Sequence, residues 1–94
     1  MPDIRAILAL EHKPFELNGA ACLLKRPTLA DLVDAVSANE QGPVFSKAWA
    51  LHRHLLDPTG SPVFSTVEEA MRAPAGIAAK AVAAIEALYS EGSD

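Results

Sequence analysis

A turn followed by a helix start divides this chain into two helical halves. The turn covers residues 57–60 (Asp-Pro-Thr-Gly), in which proline presets φ and glycine supplies a conformationally permissive position. Further on, Thr66 and Glu69 match a capping box, in which each side chain accepts a hydrogen bond from the other residue's backbone amide. Residues 55–69 are therefore interpreted as a hinge. The segments before and after this hinge are predicted to be helical.

The chain is long enough for one domain, covering residues 1–94, with one modest core. Half of the residues are hydrophobic, but 18 of them are alanines, which favour helix and each bury little area. Most of the core is therefore expected to come from the large apolar residues Ile4, Ile7, Leu8, Phe15, Leu32, Val36, Phe45, Trp49, Leu51, Leu55, Phe64, Ile77, Ile85 and Leu88.

Charge and cysteine content argue against several classes of function. The net charge is −4 and the eight Lys and Arg residues are scattered, whereas a protein that binds duplex nucleic acid needs a basic face. Cys22 is the only cysteine, so it cannot form an internal disulfide. The three histidines lack partners at zinc-ligand spacing, and there is neither a phosphate loop nor a nucleophile triad. We expect a non-enzymatic protein with no cofactor and no metal.

The sequence also predicts a cytoplasmic, soluble protein that does not enter a membrane. Asp3 near the start argues against a signal peptide. Apolar runs fall short of the roughly 20 residues that a membrane-spanning helix needs.

The first quarter of the chain carries the strand signals. Residues 14–25 contain Asn18-Gly19 between two apolar runs, which predicts a β-hairpin with a type I′ turn. The segment before it, residues 1–13, fits two structures: Ile4, Ile7 and Leu8 have helical spacing, while alternation over residues 4–10 fits a strand.

Four helices are predicted after the hairpin, over residues 28–39, 44–56, 66–72 and 75–90. The first is preceded by Thr28 as N-cap and carries an apolar stripe formed by Leu29, Leu32, Val33 and Val36. The fold class predicted from these patterns is mainly α: a small domain of about four helices with a short N-terminal hairpin.

Phe45 and Trp49 are the candidate partner-binding residues, because aromatic side chains dominate protein interfaces. For Trp49 the alternative is a role as the anchor of the core, since it lies on the helix with the widest apolar face.

The order of these features resembles the tail assembly chaperones of long-tailed bacteriophages and prophages. The resemblance spans nearly the whole chain and is strongest between Leu24 and Tyr89. It rests on residues 24–28 (Leu-Lys-Arg-Pro-Thr), residues 56–65 (Leu-Asp-Pro-Thr-Gly-Ser-Pro-Val-Phe-Ser), the short helix after Thr66, and an alanine-proline break before an alanine-rich final helix.

The resemblance implies a binding function without catalytic residues. Such chaperones coat the tape measure protein, a long and mostly helical chain, keep it soluble, and recruit tail tube subunits around it. They act in the host cytoplasm, are absent from the finished virion, and are expected to self-associate. The alternative is a small helical adaptor, regulatory protein or head–tail connector.

Overall fold

The computed structural model describes residues 12–91, so the predicted segment over residues 3–11 lies outside the described residues. Within them, helices and strands follow one another in the order β1 (His12–Leu17), β2 (Ala20–Lys25), α1 (Leu29–Glu40), α2 (Pro43–His54), β3 (Leu55–Leu56), α3 (Val67–Ala70) and α4 (Ala75–Glu91).

A three-stranded antiparallel sheet in the order β1-β2-β3 makes this a mixed α/β domain. The predicted fold class, a mainly α domain with only a two-stranded hairpin, is therefore wrong. The error lies in residues 55–56, which were assigned to the end of a helix. That helix ends at His54, and Leu55 adopts extended backbone angles. Leu55 and Leu56 then pair with Leu24 and Leu23 and are almost fully buried.

The hairpin forms around the turn that the sequence predicts. Asn18 and Gly19 both have positive φ, at 51° and 85°, as a type I′ turn requires. The register places Phe15 opposite Cys22. Pro14 lies in the edge strand β1, where its missing N–H weakens that edge as a template for another strand.

The hinge is a tight polar turn followed by a capped helix. The Asp57 carboxylate accepts hydrogen bonds from the backbone amides of Thr59 and Ser61, at 2.9 and 3.1 Å. The Thr66 hydroxyl accepts from the amide of Glu69 at 3.1 Å, while the Glu69 carboxylate accepts from Ser65 rather than from Thr66. Only half of the predicted capping box therefore forms at Thr66.

The hydrophobic core lies between the sheet, α2 and α4, and consists of Leu24, Ala48, Leu51, Leu55, Ala70, Ala81, Val82, Ile85 and Leu88. Leu51, Leu55, Ile85 and Leu88 were predicted to lie there. Leu32, Val36 and Ile77 were also assigned to the core, and for these three the prediction is wrong, because all three are exposed.

Candidate protein-interaction surface

Helix α1 has its apolar and polar faces reversed relative to an ordinary surface helix. A surface helix normally turns its apolar stripe inward and its charged residues outward. In α1 the buried residues are Asp31 and Ala38, and the apolar stripe faces away from the molecule. This orientation follows from the contacts that hold Asp31.

Asp31 is held by contacts from three directions. Its carboxylate accepts a hydrogen bond from Lys25 Nζ at 2.5 Å and from Arg53 Nη1 at 3.0 Å. It also accepts from the Thr28 backbone amide at 2.9 Å, while the Asp31 amide donates to the Thr28 hydroxyl at 3.2 Å. This reciprocal pair is a complete capping box. Strand β2, the start of α1 and the end of α2 are thus joined at one carboxylate.

The electrostatics of this cluster favour the charged form of Asp31. Burial by itself raises the pKa of the carboxyl. The hydrogen bonds from Lys25 and the Thr28 amide, together with the positive charge of Lys25, outweigh burial and hold the pKa below its usual value. Arg53 also bridges to Asp34 at 3.0 Å, so both acidic residues of α1's first two turns are paired with cations.

A buried histidine lies beside this cluster and links it to α4. His54 has no exposed surface. Its Nδ1 lies 2.8 Å from the Lys25 carbonyl oxygen, which can only accept, so Nδ1 carries the proton. Nε2 then accepts from the Tyr89 hydroxyl at 2.6 Å. Burial lowers the pKa of His54, and burial with the nearby charge of Asp31 raises the pKa of Tyr89 to about 12.

The outward face of α1 carries a continuous apolar stripe. Its members, called here the α1 stripe, are Leu29, Leu32, Val33 and Val36, with 83, 46, 67 and 61% of their surface exposed. The positions follow the spacing i, i+3, i+4, i+7, so they lie on one side of the helix over two turns. Exposed apolar patches of this kind mark sites where proteins meet other molecules.

The two predicted partner-binding aromatic residues lie together on α2, but neither forms an exposed anchor. Trp49 is buried, with 9% of its surface exposed, and Phe45 is half-buried. Trp49 packs edge-on against the His54 ring, and the Arg53 guanidinium lies 5.3 Å from its ring centre. The alternative interpretation of Trp49, a core anchor, therefore describes its environment better.

Trp49 lies between two hollows in the surface. One, of about 300 Å³, lies between α1 and α2 and is lined in part by Phe45, Trp49 and Arg53. The other, of about 230 Å³, lies between α1, α2 and α4, where Ala35, Trp49, Val82 and Ile85 are part of its lining. Since Ala35 is one helical turn from Leu32, the second hollow borders the α1 stripe.

Cys22 shows no feature of a reactive thiol. Its sulfur lies 3.3 Å from the Phe15 carbonyl oxygen, toward which the thiol donates. Burial raises the pKa of the Cys22 thiol, which reduces the fraction present as the nucleophilic thiolate at neutral pH.

Over residues 12–91, no group of three or more His, Cys, Asp or Glu side chains is arranged to hold a metal ion. None of the helices in that range has the length and hydropathy of a membrane span. The chain matches no protein-family model, no curated protein and no solved structure.

Sequence reasoning found the residues of the α1 stripe but assigned Leu32 and Val36 to the wrong side of the helix. It did not identify Asp31 as a buried carboxylate or Arg53 as its partner. A usable signal was present: the face opposite the stripe carries Asp31, Asp34 and small alanines, which can pack closely once cations reach the carboxylates.

Proposed function

We propose that this protein is a non-catalytic tail assembly chaperone of a phage or prophage, which binds the tape measure protein and aids assembly of the tail tube. The observation that carries the proposal is the α1 stripe, an apolar helix face left open to solvent while Asp31 of the same helix is buried. A chaperone for a long, aggregation-prone helical chain needs such a face to cover the client's apolar surface.

The size of the domain suits binding in many copies. One small domain covers only a short length of a long client, so its affinity per copy is low. Copies bound side by side, and in contact with one another, gain avidity from the arrangement without a larger individual interface. The protein would act in the host cytoplasm and leave before the virion is complete.

Co-expression tests this function. The full chain is produced together with the tape measure protein encoded beside it, and the soluble fraction is analysed by pull-down and light scattering. We expect the tape measure protein to become soluble and to elute with many copies of this chain. A client that stays insoluble, or a chain that is strictly monomeric and does not co-elute, contradicts the proposal.

Mass spectrometry of purified particles separates this function from that of a head–tail connector. A chaperone is absent from finished virions, so no peptides of this chain are expected in them. Stoichiometric recovery of the chain from virions identifies a structural component and contradicts the chaperone function.

A further inference from the structure

Beyond the general function, the α1 stripe indicates the kind of partner that it fits. Its four residues occupy positions a, d, e and a of a heptad, the pattern by which one helix packs along another. An α-helix laid along α1 can match this spacing with an apolar seam of its own, so an α-helix is an occupant that the stripe fits.

We propose that the α1 stripe seats the apolar seam of an amphipathic helix from another protein. This inference rests on the proposed function, under which that helix belongs to the tape measure protein. It assigns the binding surface to Leu29, Leu32, Val33 and Val36, and not to the predicted residues Phe45 and Trp49.

Charge on and around the stripe specifies the partner further. The carboxylates of Asp31 and Asp34 are paired with Lys25 and Arg53, so they do not interrupt the apolar face. Glu40 continues the face one turn beyond Val36 and is exposed. The complementary helix therefore has an uncharged apolar seam with a Lys or Arg beside it at the end that meets Glu40.

The area of the stripe argues against a second copy of this chain as its occupant. At the observed exposures the four side chains present on the order of 400 Å² of apolar surface, about half of what each partner contributes to a stable interface. Two copies joined only through the stripe would bury roughly 800 Å² in total, an area typical of crystal-packing contacts. A long client helix tolerates so small an area per copy if the bound copies also contact one another, because the linked copies then gain avidity.

A pair of matched substitutions tests the surface. Leu32→Glu places a charge in the stripe, whereas Met71→Glu, at a residue with the same 46% exposure beyond α3, serves as the control. The probe is the tightest-binding peptide from a set tiling the tape measure protein, selected with the wild-type chain. We expect Leu32→Glu to weaken binding about tenfold or more, and Met71→Glu to leave it within twofold.

Three outcomes of these experiments would contradict the proposal. If the wild-type chain binds the peptide and Leu32→Glu binds equally well, the surface lies elsewhere while the proposed function stands. If Leu32→Glu instead abolishes self-association and spares peptide binding, the occupant is a second copy. If Leu32→Glu lowers the melting temperature by several degrees while Met71→Glu does not, the stripe is already covered within the chain, which contradicts the proposal. A wild-type chain that binds no part of the tape measure protein overturns the proposed function itself.

Discussion

Asp31 shows how one buried carboxylate sets the orientation of a helix. The residue has no exposed surface, yet it is charged, because Lys25, Arg53 and the Thr28 amide all donate to it. Turning α1 so that its stripe faced the core would expose these contacts to water and leave the cations without their partner. The polar cluster therefore fixes which side of α1 faces the rest of the domain.

Asp31→Asn should be much more destabilising than Asp34→Asn. The first change leaves Lys25 and Arg53 facing a neutral amide in a buried site, so we expect the free energy of unfolding to fall by about 2–3 kcal/mol. The second removes a half-exposed ion pair, expected to contribute at most about 1 kcal/mol. Urea denaturation of both variants measures the difference, and equal losses would contradict the role given to Asp31.

The buried His54 should make stability depend on pH in mildly acidic solution. Its pKa in the folded protein lies below the ordinary value of 6.5, because burial disfavours the charged ring. Below pH 6.5 the unfolded chain therefore takes up a proton that the folded chain does not, and the free energy of unfolding decreases by up to about 1.4 kcal/mol per pH unit. Stability from this residue is complete above pH 6.5 and is lost as the pH falls.

His54→Gln should flatten this pH dependence, since glutamine keeps polar contacts but does not titrate. Thermal unfolding between pH 7 and 5 provides the measurement. His12→Gln, at an exposed position in β1, is the control and should retain the wild-type slope. If the slope survives in His54→Gln, another group is responsible for it.

At the scale of elements, the hairpin turn depends on backbone geometry that few residues tolerate. Gly19→Ala places a Cβ at φ +85° and should lower the free energy of unfolding by about 1 kcal/mol. Gly76→Ala, in α4, meets no neighbouring atom and has no positive φ, so it should raise stability by about 0.5–1 kcal/mol. Opposite signs in urea denaturation support the turn, and a neutral Gly19→Ala argues against it.

Local signals predicted the elements well, because each depends on a few neighbouring residues. Asn18-Gly19 determines a turn, Thr28 caps a helix through the nearby amide of Asp31, and the break at residues 73–74 separates α3 from α4. The third strand could not be predicted in this way. Two residues are too few to show a period, and Leu55 and Leu56 are extended only because β2 offers them a partner about 30 residues away in sequence.

The orientation of α1 could not be predicted from local sequence signals either, because it depends on a contact between distant residues. The stripe shows that the helix has an apolar side, but periodicity does not say what that side will face. The decisive contact joins Arg53 to Asp31, 22 residues apart. The candidate site was therefore half predicted: the residues of the stripe were recognised, while their exposure required the tertiary structure.

The molecule as a whole keeps its core small and leaves part of its apolar surface for a partner. Three of the nine core-cluster residues are alanines, so apolar burial within the chain is limited. Leu29, Val33 and Val36 together form apolar surface that folding does not use. A binding partner that covers it would stabilise the folded state by mass action.

Methyl NMR with a soluble paramagnetic probe can show whether the α1 stripe is open in the free chain and covered in the complex. In dilute free protein, the methyls of Val33 and Val36 should relax as strongly as those of Val44, which is 69% exposed, and far more strongly than those of buried Val82. Adding the tape measure peptide should protect Val33 and Val36 and leave Val44 unchanged. Methyls of Val33 and Val36 that are as protected as those of Val82 in the free chain would contradict the account.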